Sequence, residues 1–162
     1  MIDFGDETEV RRWAPLDDFI MGGVSSSRLT RTDHHTCVFS GIVSLEDGGG
    51  FASVRTDGSD HVDLAGASAV TLRFRGDGKT YKLRLRTTDS FDGVSYQVAF
   101  PTEPGVWTKR SFGLDEFKPV WRGRAVRGVP PLDPTKVSGV GLLISDEQEG
   151  AFRLEVASLS KR

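Results

Sequence analysis

Apolar and polar residues alternate one for one along much of this chain, and a period of two is the mark of a strand with one buried face. Val70-Thr71-Leu72-Arg73-Phe74-Arg75 and Tyr81-Lys82-Leu83-Arg84-Leu85-Arg86 follow it, as do Val94-Ser95-Tyr96-Gln97-Val98-Ala99-Phe100 and Phe152-Arg153-Leu154-Glu155-Val156. Gly76-Asp77-Gly78-Lys79 separates the first two runs, and Asp-Gly between alternating segments predicts a hairpin there. Residues 37–45, 50–55, 107–112 and 140–145 are less regular strand candidates. The total is roughly nine or ten strands about a dozen residues apart. With no long amphipathic helix, the expected fold is all-β, an antiparallel β-sandwich or barrel. A single helical turn is predicted at Asp133-Pro134-Thr135-Lys136, where Asp133 caps and Pro134 opens the turn.

Composition narrows the function classes. The 162 residues are 37% hydrophobic and show neither an internal repeat nor a low-complexity linker, so a single domain over 1–162 is expected. Lys plus Arg, at 21, nearly balances Asp plus Glu, at 23, which argues against attraction of the whole chain to nucleic acid. One cysteine, Cys37, leaves no internal disulfide and no multi-cysteine metal site; it reads as a small buried hydrophobe. No apolar run is long enough to insert into a membrane, and the acidic N-terminus is unlike a targeting peptide, so a cytoplasmic location is expected.

In the alternating runs Val70, Leu72, Phe74, Tyr81, Leu83, Leu85, Val94, Tyr96, Val98 and Phe100 share the core face. With these runs read as paired strands, Arg73, Arg75, Lys82, Arg84, Arg86 and Gln97 gather on the opposite one. Such a face is either solvated, its Arg stems lying along the sheet and paired to nearby carboxylates, or a binding face that offers guanidinium forks to an anion or to sugar hydroxyls. Residues 114–134 form the longest irregular stretch, and there Trp121 beside Arg122 suits a partner anchor.

The cluster Asp17-Asp18-Phe19-Ile20-Met21-Gly22-Gly23-Val24-Ser25 lacks the Gly-Lys-Ser/Thr ending of a phosphate loop. It reads as a tight turn with Asp17 or Asp18 bonding nearby amides. His34, His35 and His61 show no ligand spacing. Oxygen ligands for a structural calcium ion exist without EF-hand spacing. No nucleophile elbow occurs, and no glycosidase-type carboxylate pair is singled out. No enzyme activity, cofactor or metal is expected.

The residues also carry a resemblance. Trp13…Asp17-Asp18-x-x-Met21-Gly22-Gly23-Val24-Ser25, Phe39-x-Gly41 and Gly49-Gly50-Phe51-Ala52-Ser53-Val54-Arg55 are similar to the complex I intermediate-associated protein 30 family. So are Arg75-Gly76-Asp77-Gly78-x-x-Tyr81, Tyr96-Gln97-x-x-Phe100, Trp107, Phe117-x-Pro119, Arg122-Gly123, Gly141-Leu142-Leu143-Ile144-Ser145-Asp146 and Gly150-x-Phe152-Arg153-Leu154. The resemblance implies a galactose-binding-like jelly roll and a chaperone-like factor in respiratory complex assembly. The expected function is therefore a non-enzymatic module that uses Arg75, Arg84, Arg86 and Gln97, with Asp18, Met21, Trp121 and Arg122, to hold a protein partner. A respiratory-complex subunit is the candidate partner. The alternative is a carbohydrate-binding or sugar-sensing module in which Arg84, Gln97 and Trp107 contact hydroxyls and a ring face.

Overall fold

A computed structural model describes residues 2–58, 62–88 and 93–162, apart from the side chains of Ile20 and Met21. The strands are β1 (Ile2–Asp3), β2 (Trp13–Pro15), β3 (Ser26–Arg31), β4 (Cys37–Val43), β5 (Ala52–Thr56), β6 (Ala69–Arg75) and β7 (Thr80–Arg86). They continue with β8 (Ser95–Pro101), β9 (Trp107–Gly113), β10 (Lys118–Trp121), β11 (Arg124–Ala125), β12 (Gly139–Ile144) and β13 (Gly150–Lys161). Among the described residues the one α-helix, α1, is a single turn over Glu7–Val10, and 3₁₀ turns punctuate the loops.

The pairing is antiparallel throughout the strands and builds two sheets, as expected for a jelly-roll sandwich. One runs β3-β4-β13-β6-β9, with β1 also on β13, and the other runs β11-β10-β8-β7-β12-β5-β2. Their inner faces meet in one aromatic core. Phe74 of the first sheet packs on Phe100 of the second at 4.8 Å between centroids, and Phe39 packs on Phe152 at 4.9 Å. Fully burying a side chain of this size contributes roughly 1.5–3 kcal/mol, so the alternating runs supply the driving force for closing the sandwich. Cys37 sits in that core with its thiol on the Phe4 carbonyl, and burial pushes its pKa up to about 11. The predicted turn is present over Pro134–Lys136, with the Asp133 carboxylate accepting from the Thr135 amide at 2.9 Å.

The predicted hairpin is absent. β6 pairs with β13 and β9, whereas β7 pairs with β8 and β12. Gly76–Lys79 is instead a corner that carries the chain from one sheet to the other. Asp77 pins this corner, accepting from the Tyr81 hydroxyl at 3.0 Å and the Arg153 amide at 2.8 Å. Thr102 closes it, accepting from the Gly78 amide and donating to the Lys79 carbonyl. A Cβ on Gly76 would come within 2.3 Å of Thr102, so only glycine lets the segments approach this closely. The inward residues of both runs still share one core, but they approach it from opposite sides. Their outward cations therefore divide between two faces of the molecule.

Candidate functional site: the arginine face of the seven-stranded sheet

Strand register sets the outward residues of the seven-stranded sheet in rows. One row reads Lys118, Gln97, Arg84, Gly141, Arg55 and Ala14 across β10, β8, β7, β12, β5 and β2. Beside it run Val120, Ser95, Arg86 and Gly139 on one flank, and Ala99, Lys82, Leu143 and Ser53 on the other. Two of the outward positions of the central strand β12 are thus glycines. At Gly139 a Cβ would stand 3.0 Å from Arg86 Nη2, so the bare backbone lets the Arg86 side chain lie flat on the strand. At Gly141 the missing side chain leaves an open floor between Arg84 and Arg55.

Above that floor is a small cavity of about 30 Å³. Arg55, Arg84 and Arg86 line it, with Ser53 and Ser95 at its sides and Leu16 and Leu143 as apolar wall. No acidic side chain lines it among the described residues. Arg84 Nε donates to Gln97 Oε1 at 2.9 Å, which fixes the guanidinium plane over the sheet. Arg86 is buried and donates through Nη2 to the Thr56 carbonyl at 3.1 Å. Burial first, and the neighbouring Arg55 second, push the Arg84 pKa down to about 10. Arg55 is lowered by burial and by Arg86. All three remain cations at neutral pH, so the cavity concentrates positive charge in a partly desolvated place.

Of the residues expected to bind, Arg84, Arg86 and Gln97 meet here. Trp121 ends β10 at the edge of the same sheet and Arg122 begins the turn to β11, with the guanidinium 4.5 Å from the indole centroid and Trp121 43% exposed; by alternation from Val120, Trp121 stands on the side of the sheet opposite the arginine rows. β10 and β11 fall within 114–134, where the sequence predicts an irregular stretch.

Arg75 and Trp107 do not belong to this face. They are register partners on the other sheet, where Arg73 and Arg75 approach the Trp107 ring at 4.9 and 5.1 Å. Arg75 is committed further, to the buried carboxylate of Glu155 at 2.5 Å.

Asp18 is a structural residue. It is fully buried and accepts from the Ser25 amide (2.9 Å), the Ser25 hydroxyl (2.5 Å) and the Gly50 amide (2.8 Å), so it offers nothing to a partner. The surrounding glycines make room for it: a Cβ on Gly23 would lie 2.4 Å from Asp18 Cγ, and one on Gly49 2.5 Å from Oδ2. Gly22, at φ +86°, turns the chain out of the 3₁₀ turn Asp18–Met21. Asp17 does the same work next door, accepting from the Ser27 hydroxyl and the Ser53 amide. The side chain of Met21, and all of His61, lie outside the described residues.

Arg55, Ser53, Gly139 and Gly141 were missed as site residues. Their signal is present in the sequence, since Ser53-Val54-Arg55 and Gly139-Val140-Gly141-Leu142 both alternate, but only the register of β5 on β12 places them beside Arg84. Among the described residues, no group of three or more His, Cys, Asp or Glu is arranged to hold a metal ion. No helix among them is long and apolar enough to cross a membrane.

Known proteins agree with this architecture. The chain superposes on the family 11 carbohydrate-binding module of cellulase Lic26A-Cel5E of Clostridium thermocellum with a TM-score of 0.69, covering 98% of this chain and 93% of that one at 12% identity. At that identity the likeness speaks for the fold alone. Two curated relatives, from Caenorhabditis elegans and Caenorhabditis briggsae, are 28% identical over 152 residues, which is 83% of this chain. Each is named "Probable complex I intermediate-associated protein 30, mitochondrial". This chain spans 45% of their length. Both names carry the word mitochondrial, which overturns the cytoplasmic expectation drawn from the acidic start of this sequence. The profile of the same family matches residues 2–156, almost the whole chain, and the chain belongs to the complex I intermediate-associated protein 30 family.

Proposed function

We propose that residues 1–162 act as one non-catalytic binding module that holds a polypeptide partner during assembly of respiratory complex I. The outward face of the seven-stranded sheet is the docking surface. The observation that carries this reading is the state of Arg84. A half-buried guanidinium with a single hydrogen bond among the described residues stands over a glycine floor, beside two further arginines. Holding cations together in a partly dry place costs stability, and a polar partner would offset that cost. Trp121 and Arg122 at the sheet edge are the residue types that dominate interface hot spots. The family and the names of the relatives support an assembly role.

The fold likeness to a carbohydrate-binding module would favour a sugar on the same face. Stacking a sugar ring needs an aromatic side chain, however, and the rows across β10, β8, β7, β12 and β5 carry Arg, Lys, Gln, Ser, Gly, Val, Ala and Leu. Trp107, the ring assigned to that role from sequence, is on the other sheet between two arginines.

Affinity capture of the tagged chain from its host tests the proposal, with complex I subunits quantified by mass spectrometry. Arg84→Met and Trp121→Ala should each cut their recovery roughly 5–30-fold, the effect of losing about 1–2 kcal/mol at an interface anchor. Lys109→Met, on the exposed side of the other sheet, should leave recovery unchanged. Equal recovery from all four proteins would contradict the assignment of this face.

A further inference from the structure

We infer that the cavity beside Arg84 is a receptor for a single carboxylate group, presented by an acidic segment of a polypeptide. The inference rests on the docking reading above and names the chemistry the docking surface recognises.

Three features of the cavity agree on this. The first is donor supply. A guanidinium has five N–H donors, and Arg84 uses only Nε, on Gln97; its two terminal nitrogens make no hydrogen bond among the described residues. The Ser95 hydroxyl, also on the wall, makes none among them either. Ser53, by contrast, is spent on the Leu16 carbonyl. A fork of two parallel N–H groups with a hydroxyl beside it matches the two oxygens of a carboxylate.

The second feature is charge. Arg55 and Arg86 flank the fork, and no acidic side chain lines the cavity among the described residues. A bound anion would therefore meet the Arg84 fork directly, and its charge would offset the desolvation and the repulsion from Arg55 that lower the Arg84 pKa.

The third is size. About 30 Å³ over the Gly141 floor holds roughly two water-sized groups, which matches the two oxygens of a carboxylate. A uronic acid would bring a sugar ring, and no aromatic platform lies on these rows to receive one. An extended acidic segment needs only the open sheet surface, with Trp121 at its edge.

Calorimetric titration of the whole chain with an end-blocked hexaglutamate peptide tests this, with hexaglutamine, glucuronate and inorganic phosphate as comparison probes. Hexaglutamate should bind with an affinity that falls as salt is raised, and hexaglutamine should not bind. Arg84→Met should weaken binding roughly tenfold or more, and Arg84→Lys should recover only part of it, because an ammonium lacks the fork. Gly141→Val, which fills the floor and leaves every arginine in place, should weaken it likewise. The thermal midpoint of each variant separates a lost site from a lost fold.

Equal hexaglutamate affinity in wild type, Arg84→Met and Gly141→Val would overturn the inference, as would tighter binding of phosphate or glucuronate than of the peptide. If hexaglutamate fails to bind while recovery of complex I subunits still depends on Arg84, the carboxylate receptor is wrong and the docking face stands. If both fail, both are wrong.

Discussion

Replacing Asp18 by alanine should lower the unfolding free energy by about 3–5 kcal/mol. The carboxylate is fully buried, and it ties the turn at 18–21 to Ser25 and to the amides of Gly50 and Phe51. Truncation would orphan buried donors and open a void between Gly23 and Gly49, whose missing Cβ atoms define its walls. For a chain of this size the loss corresponds to a fall in thermal midpoint of roughly 6–20 °C.

The acid dependence follows from the same contacts. Burial raises the Asp18 pKa, but the Ser25 hydroxyl and the amides of Gly50, Ser25 and Phe51 outweigh it and hold the carboxyl below its ordinary value. A folded pKa below the unfolded one means that Asp18 contributes its stability above the ordinary aspartate pKa. That contribution is lost as the pH falls through the lower, folded value. Urea unfolding of wild type and Asp18→Ala should therefore differ most near neutrality and converge in strong acid. Gly23→Ala, which drives a Cβ into the same carboxylate, should destabilise as well. A difference under about 1 kcal/mol at pH 7 for Asp18→Ala would refute the structural role.

The second large effect concerns Glu155. Its side chain is 2% exposed on the outer side of β13, where it accepts from the Thr36 hydroxyl at 2.7 Å and from Arg75 through Nη2 and Nε. Arg153 approaches the same oxygen at 3.9 Å. Burial raises the Glu155 pKa, and Thr36 and Arg75 more than compensate, so the group is ionised when folded. Arg75→Ala would leave this buried charge with Thr36 and a distant Arg153. It should cost about 2–3 kcal/mol, less than for a fully buried pair because Arg75 is itself about a third exposed. Glu155→Leu should cost about 1–3 kcal/mol by removing the carboxylate partner of Arg75 and one of two partners of the Thr36 hydroxyl, which keeps Thr32 at 2.6 Å. The double variant Arg75→Met with Glu155→Leu should be more stable than the sum of its parts predicts, by about 1 kcal/mol or more. Additive single costs in a double-mutant cycle would show that the pair does not couple.

These two carboxylates explain why some functional assignments from sequence fail. A charged residue at a strand end or in a glycine-rich turn looks the same whether it faces a ligand or another part of the chain. Asp18 and Arg75 face the chain. Four alternating runs and four less regular apolar ones were enough to reveal the class of fold and eight of the strands, because the buried face of a strand writes itself into the sequence every second residue. Alternation could not distinguish a hairpin from a corner. Both place Leu72 and Leu83 inward, and only the Asp77 and Thr102 bonds decide that β6 and β7 lie in opposite sheets. β3 stayed hidden because an edge strand reading Ser-Ser-Arg-Leu-Thr-Arg buries little. β10 stayed hidden because Pro119 interrupts its pattern.

The candidate site shows the same division. Arg84, Arg86 and Gln97 were legible as outward residues of two long alternating runs that do pair, β7 with β8. Arg55 was not, since β5 is short and its place beside Arg84 depends on β12 lying between them. Gly139 and Gly141 carry no side chain to advertise a role. What they contribute is absence of bulk, which matters only once the arginines above them are in position.

Site-specific photo-crosslinking tests most directly whether the outward face of the seven-stranded sheet is where a partner docks. A photoreactive residue at Ser95 or Lys118, beside Arg86 and Gln97 in register, should crosslink the same polypeptides that affinity capture recovers. The same residue at Lys109, on the exposed side of the other sheet, should stay unlinked. Crosslinks from Lys109 with none from Ser95 or Lys118 would place the partner on the wrong sheet for this account and contradict it.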